Sequence, residues 1–288
     1  LAQAPRDLGA EGRIRADVAF LADDLLEGRG DGQRGYDLAA LDVQTRMAAD
    51  GLKPGGVDGG WTQPFTLARI GIAEEGASLS WTPRGGQAVT WRNGADGLFG
   101  FGRAAGRSEL SGQMVFVGYG LVAPDLRIDD YAGLNVRGRI VVMLSGAPVG
   151  ADPAVAARLE AKKARNAEAR GAVGVVTVNT TASSARFTDA MMRRFAGRTE
   201  SVWAGPDGLA RRAAPGIAAT VFLNDAAAEA LFQGQRRAYA DIRQEAERPG
   251  ARPRGFALNG AAAFEINTRR EDVAGATVIG RSEGTAPV

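Results

Sequence analysis

The sequence predicts an α+β protein, and three observations carry that prediction. Two amphipathic helical patterns open the chain, short β-branched and aromatic runs punctuated by glycine and proline fill its middle, and one helical stretch is flanked on both sides by wholly apolar strands. The 40 glycines in 288 residues add to this, because so many turn-permissive positions suit a β-rich interior better than a helical bundle.

Residues 11 to 27 place Ile14, Val18, Leu21 and Leu25 at helical spacing among acids and arginines, which predicts a helix that buries one stripe. A second helix from about Arg34 to Asp50 gathers Tyr36, Ala39, Ala40, Val43 and Met47 on one face, with Gly51 placed to cap it. "LKPGGVDGGW" reads as a loop. From Trp61 the period changes, and "FTLARIGI", "ASLSWTP", "QAVTWRN" and "GLFGFG" predict separate antiparallel strands and hairpins. "GQMVFVGYG" and "GRIVVMLSG" are apolar runs bounded by glycine, as expected of strands buried on both faces. Asp152 to Arg170 predicts one helix, with Asp152 as N-cap, Pro153 at the first helical position and Gly171 as stop. "AVGVVTVN" comes next as a buried strand, so residues 139–179 form a strand-helix-strand unit. Residues 181–216 read as a loop with one helical turn around Asp189 to Phe195. "GIAATVFLN" is a strand, Asn224 or Asp225 caps an alanine-rich helix, and the helical pattern persists through "RRAYADIRQEAER" until Pro249 and Pro253 break it. "AAAFEINTRRE" and "GATVIG" predict two further strands.

Composition excludes more than it includes. The chain has no cysteine and no histidine, so the usual zinc ligands, the commonest general base and every Ser-His or Cys-His nucleophile pair are missing. Catalysis by these residues alone would need carboxylates, lysine or tyrosine, and no pair of acids sits in an apolar context that would tune them apart. The 35 Lys and Arg nearly balance the 33 Asp and Glu, and no basic run is dense enough for nucleic acid. No apolar stretch reaches the length of a membrane span. The opening "LAQAPRD" holds Ala2-Gln3-Ala4, the small-x-small form that signal peptidase cuts after; the alternative is an ordinary alanine-rich start.

Three stretches invite chemistry. In "VFVGYGLVAPD", residues 115–125, Gly118, Gly120 and Ala123 fit the G-x-G-x-x-A of a dinucleotide turn. A phosphate site there needs a helix N-terminus directly after the glycines, whereas Pro124 and "DLRIDDYAGL" are turn chemistry. Asp125, Asp129 and Asp130 offer oxygens to a hard cation but lack the spacing and terminal Glu of a calcium loop, so they read as solvated, backbone-capping turn residues. Asn179 starts a sequon, "NTT", but directly succeeds a buried strand, which argues against glycosylation. The third stretch is residues 21–40, whose glycine-rich loop carries Glu27, Arg29, Asp31 and Arg34 between two helices. It reads either as a solvated turn or as the lip of a neighbouring site, with Glu27 and Arg29 restrained by the flanking helices.

Taken together these stretches resemble one family. "VAFLADDLLEGRGDGQRGYDLAALDVQTRMAADGLKPGG" is similar to the N-terminal helix pair of bacterial M28-family zinc metallopeptidases, with Ala22 where Ser is commoner. "WTQPFTL" resembles the entry into the protease-associated (PA) domain inserted in those proteins. "VFVGYGLVAPDLRIDDYAGLNVRGRIVVMLSGAP" and "KKARNAEARGAVGVVTV" resemble the PA domain itself. The resemblance covers most of residues 14–180 and loosens from 181 to 265.

The resemblance implies a helix pair over residues 1–62 belonging to an incomplete α/β zinc-peptidase domain. It further implies a β-rich PA domain over 63–265 and the first strand or strands of the catalytic domain over 266–288. "ATVIGRSEG", residues 276–284, resembles the strand that precedes the family's first His-x-Asp metal ligands, with Thr277 where Asn is usual. By the resemblance the complete enzyme is an aminopeptidase in which two zinc ions activate a bridging water at an N-terminal peptide bond, with a periplasmic or extracellular location. No metal or catalytic residue of that family maps onto this sequence, so the chain alone is expected to bind no metal and to be inactive. Its expected partners are the catalytic domain in cis and a peptide substrate, with Glu27 and Arg29 as candidate substrate-entrance residues. Gly118 and Gly120 become a strand-to-turn exit. The alternative is a non-catalytic PA-type module that binds peptides or proteins.

Overall fold

The structure is a computed structural model of the chain and describes residues 9–284. The Ala2-Gln3-Ala4 stretch lies outside the described residues. α1 spans Gly9–Leu21 and is followed by a 3-10 turn, Asp24–Arg29, capped by the Asp23 carboxylate, which accepts from Leu25 N–H at 2.9 Å. α2, Arg34–Ala49, ends as its sequence predicts. Gly51 takes φ +81°, its N–H reaches the carbonyl of Ala48, and Leu52 N–H reaches that of Met47, which is the two-bond glycine cap.

β1, Lys53–Pro54, lies in the predicted loop, because it pairs antiparallel with residues 280–281 at the far end of the chain. β2 is one strand of 22 residues, Thr62–Pro83, in place of two. Its glycines do not end it: a Cβ on Gly71 would sit 2.9 Å from the Arg198 carbonyl, so the position admits a neighbouring backbone, and Gly76 takes φ +83° without interrupting the strand. β3 (Val89–Arg92) and β4 (Gly97–Phe99) come next, as predicted. β5, Gly106–Gly112, has no apolar alternation to announce it and exists by pairing with residues 262–268. Then come β6 (Met114–Phe116), β7 (Val122–Ala123), β8 (Ile128–Asp129) and β9 (Ile140–Leu144), the last buried at every residue.

The single helix predicted for 152–170 is two, α3 (Pro153–Glu160) and α4 (Lys163–Ala169), with Asp152 capping the first through Ala154 and Val155 N–H. Beyond the break Lys163 is buried and bound to strand-end carbonyls, a tertiary demand that local helix propensity cannot register. After β10 (Gly174–Val178) the predicted loop is largely ordered as α5 (Thr181–Ser184), α6 (Asp189–Phe195) and β11 (Thr199–Trp203). Thr180 and Thr188 side chains cap the two helices, and β11 adds to β2 at a sheet edge. β12 (Ala219–Leu223) leads through the Asn224 cap into α7 (Asp225–Phe232). The helical pattern then stops at Gly234, φ +70°, before α8 (Tyr239–Ala246). β13 (Phe256–Ala257), the 19-residue β14 (Gly260–Val278) and β15 (Gly280–Arg281) finish the chain, β14 taking in most of what read as two strands.

Two compact units result, one formed by residues 68–271 and one by the chain on either side of that span. In the first, a six-stranded sheet runs β13-β6-β9-β10-β12-β4, with β6, β9, β10 and β12 parallel and the edge strands antiparallel. The predicted strand-helix-strand unit is its centre. Period-two alternation divides the core: Ile140, Val142, Val176 and Val221 face Leu79, Trp81 and Phe264 from β2 and β14, whereas Val141, Met143 and Val175 face Ala167 of α4. The second sheet runs β11-β2-β14-β5, with β3 beside β2.

The other unit joins both ends of the chain through β1 and β15, and through Tyr36 Oη donating to the Ala276 carbonyl at 2.6 Å. Its apolar burial is slight. Leu26 and Val273 are its only buried apolar side chains among the described residues, and the predicted stripe of α1 is not covered: Ile14, Val18 and Leu25 are 62%, 60% and 81% exposed. Among the described residues of this unit no second layer covers that face. No helix among the described residues is long and apolar enough to cross a membrane.

Candidate functional site

Four parallel strands deliver their C-terminal ends to one edge of the six-stranded sheet, the edge where open α/β sheets gather polar groups. Ser145 comes directly after β9, Asn179 after β10 and Asn224 after β12, and all three are buried. Ser145 Oγ donates to Ser183 Oγ at 2.5 Å, and Ser183 Oγ donates to Asn179 Oδ1 at 2.9 Å. Asn179 Nδ2 donates to Asp225 at 2.9 Å, and Asp225 also accepts from Ser184 Oγ at 2.8 Å and from Arg243 at 2.9 Å. Tyr239 Oη donates to the Asn179 carbonyl at 2.7 Å, and burial, then the Asp225 charge, pushes its phenol up. The network ties α5, α7 and α8 to the strand ends. Replacing Asn179 by alanine, which strands its buried partners, is expected to cost about 2 kcal/mol in a urea titration, against less than about 0.5 kcal/mol for alanine at exposed Asn135.

Lys163 stands beside it. Its Nζ donates to the Leu144 carbonyl at 2.9 Å and to the Gly146 carbonyl, on either side of Ser145, and lies 5.6 Å from the Tyr119 ring centroid. Burial pulls its ammonium down to about 8, opposed by the charges of Glu160 and Asp130. The Ser145 hydroxyl is committed to Ser183 and the lysine to main-chain oxygens, so the pair lacks the nucleophile-to-base hydrogen bond of a hydrolytic dyad.

The predicted site residues fall elsewhere. Glu27 and Arg29 sit in the 3-10 turn after α1, where Glu27, Gly28 and Arg29 take φ of +52°, +76° and +55° in succession. Two non-glycine residues in the left-handed region are costly and mark the turn as held by its surroundings. The carboxylate of Glu27 lies 3.9 Å from Arg34, and both Glu27 and Arg29 are exposed.

Asp125, Asp129 and Asp130 do not converge on a cation. Asp125 faces Arg158 at 3.7 Å, Asp129 accepts from Tyr131 N–H and Arg170, and Asp130 accepts from Leu121 N–H at 2.9 Å with Arg252 at 3.4 Å. Asp129 and Asp130 are backbone-capping turn residues, whereas Asp125 only faces Arg158, and Asp130 is not solvated: its side chain is 6% exposed, and burial raises its carboxyl. Asn179 is 1% exposed, which bars it as a glycan acceptor. The donor set does not fit zinc, since the chain has neither imidazole nor thiol, and no group of three or more acids able to hold a metal occurs among the described residues.

Residues 110–231, which contain β6, β9, β10, β12 and the network residues Ser145, Asn179, Ser183 and Asp225 but not Tyr239 and Arg243, match the family model of the PA domain. The chain contains a PA domain. No curated protein sequence matches the chain. Among solved structures it is similar to the aminopeptidase from Aneurinibacillus sp. strain AM-1, with 17% identity and a TM-score of 0.43 over 92% of this chain and 47% of that one. It is also similar to BSAP, a zinc aminopeptidase from Bacillus subtilis, with 14% identity and a TM-score of 0.34 over 92% and 46%. The chain thus spans about half the length of the solved aminopeptidases it matches.

Within the PA domain Gly118 and Gly120, with φ of +64° and +71°, turn the chain out of β6, and they lead into a 3-10 turn at Pro124–Leu126 rather than a helix. The dinucleotide reading fails on that point, as its sequence implied. Sequence reading missed Ser145, Lys163, Asp225, Tyr239 and Arg243, and took Asn179 only as the start of a sequon. A signal was present for three of these residues. Asn179 and Asp225 stand just after apolar strands of the α/β unit, and Lys163 shares the i, i+4 row of Leu159 and Ala167, an inward helical face.

Proposed function

We propose that this chain is the front portion of an M28-like metal-dependent aminopeptidase, in which the PA domain is inserted into the enzyme's catalytic domain. One observation carries the reading: the unit bearing the PA domain interrupts another unit, which is closed by β1 and β15 from the two ends of the chain. That is the topology of an insertion. The exposed Ile14 and Val18 of α1 and Leu25 of the turn after it support the same reading, because a contiguous exposed apolar patch marks a surface that meets a further layer. The layer proposed is the rest of the catalytic domain in cis, which would also supply the ligands for two zinc ions and act on peptides in the periplasm or outside the cell. Glu27 and Arg29 border its substrate entrance.

The test is the complete gene product. Its reading frame is expected to continue past Val288 into a His-x-Asp segment, and the purified protein to retain two zinc ions and release amino acids from aminoacyl-nitroanilides. The 288-residue chain alone is expected to do neither. Alanine at both Glu27 and Arg29 in the complete enzyme is expected to lower kcat/KM by about tenfold, roughly 1.4 kcal/mol, while leaving thermal stability unchanged. A stop codon at 289, or turnover by the chain alone, overturns the reading.

A further inference from the structure

The PA-bearing unit carries a cleft that neither the sheet-edge network nor the proposed peptidase accounts for. One face of β9 and β10 is covered by α4, whereas the same side of the strip β10-β12-β4 is covered only in part, by α6 beside β4 and by the Phe187 ring 4.6 Å from that of Phe222. Thr177, Thr220, Phe222 and Leu98, which point to that side, are only half-buried, while the alternate residues Val176, Val221 and Phe99 are buried in the core. The gap is a cleft of about 680 Å3, roofed by residues of α6, β11 and the 211–214 segment. That volume suits a small organic ligand.

The chemistry of the rim is one-sided. Arg198, Arg211 and Arg212 line the cleft, with Glu200 as the single acid. Arg212 stacks over the Phe101 ring at 5.1 Å and donates to the main-chain carbonyls of Phe101 and Gly102, but neither Arg212 nor Arg198 makes an ion pair among the described residues. The Glu200 charge acts on Arg212, but no carboxylate among the described residues forms a close ion pair with it, so its planar fork can still take both oxygens of an incoming carboxylate at once.

We propose that this cleft binds a short hydrophobic peptide through its free terminal carboxylate. The carboxylate meets Arg212, the apolar side chains lie on Phe222 and Leu98, and Glu200 takes the peptide ammonium. The two threonine hydroxyls on the floor, Thr177 and Thr220, favour a ligand with amide groups over a plain acyl chain, which offers them nothing. The site does not depend on the aminopeptidase reading: it is complete within residues 68–271 and is read by binding, without turnover.

Calorimetric titration of the full chain tests it, with Leu-Phe as probe, its C-terminal amide to remove the charge, and decanoate as an acyl carboxylate. Leu-Phe is expected to bind saturably at one site, the amide about tenfold more weakly or worse, and decanoate more weakly than Leu-Phe. Arg212→Gln is expected to weaken Leu-Phe by about tenfold. Because Arg212 also ties down two carbonyls, Ala213→Trp, at an exposed position on the cleft wall, provides a second variant that fills the space and abolishes binding with the far-ultraviolet spectrum unchanged. No saturable binding, equal affinity for the amide, or undiminished binding by a folded Ala213→Trp protein overturns the site. Tighter binding of decanoate overturns its assignment to peptide.

Discussion

Alanine at Gly118 is expected to destabilise the PA-bearing unit by about 3 kcal/mol, well beyond the cost of alanine at an ordinary left-handed glycine. Two effects combine. The residue sits at φ +64°, which costs any L side chain about 1–2 kcal/mol. An added Cβ would also stand 2.5 Å from the Pro253 carbonyl oxygen, a main-chain atom that moves only with its neighbours. The turn cannot readily shift, since the Gly118 carbonyl accepts from Leu144 N–H at 2.8 Å at the end of β9. Gly133 is the control: it takes φ +75° but a Cβ there meets nothing within 4 Å, so alanine should cost only about 1 kcal/mol. Equal urea midpoints for the two variants would remove the close-approach explanation of the G-Y-G turn, and tight binding of a dinucleotide by the native chain would restore the phosphate-turn reading of Gly118 and Gly120.

Raising the pH from about 7 to about 9.5 is expected to stabilise the native chain by about 2 kcal/mol relative to Lys163→Met. Burial lowers the folded pKa of Lys163 to about 8 from an ordinary 10.5, against the opposing charges of Glu160 and Asp130. Between those values the unfolded chain binds the extra proton, so stability rises with pH through this window. Below it the charged amine carries its full desolvation cost. The neutral amine still has two hydrogens for the Leu144 and Gly146 carbonyls, so the contact survives deprotonation. Tyr119, pushed up to about 12 by burial and by Asp130, acts in the opposite sense: it keeps its proton in the folded state while the unfolded phenol loses it, so stability falls from about pH 10 upward. The comparison therefore belongs below that range. Parallel stability curves for the native and Lys163→Met proteins would show that Lys163 is not desolvated.

The parts of the fold legible in advance are those whose cause is local. Gly51 caps α2 with the two bonds its position implies, Asp152 and Pro153 open α3, and "GRIVVMLSG" and "AVGVVTVN" are parallel neighbours, the first strand buried throughout and the second at every residue but Thr177. What misled was also local in form. Gly76 reads as a break between "FTLARIGI" and "ASLSWTP" and is interior to β2, because it serves a left-handed backbone rather than a reversal. Ala161 and Lys162 carry no helix-breaking chemistry, yet the helix breaks there. The site was less legible still: Glu27 and Arg29 stand out by their charge on a short loop, whereas the network of Ser145, Asn179, Asp225 and Tyr239 joins residues far apart in the chain.

Alone, the sequence determined that these residues cannot hold zinc in the usual way, since no histidine or cysteine is present to do it, and that a strand-helix-strand unit would form at 139–179. Periodicity and composition are properties of the covalent chain and need no partner to be read. Only the tertiary structure decided that both chain ends meet in β1 and β15, that Lys163 is desolvated, and that the face of β10, β12 and β4 stays partly open between arginines. Each of those depends on which distant segments come together, and burial and pairing acquire their free energy only when they do.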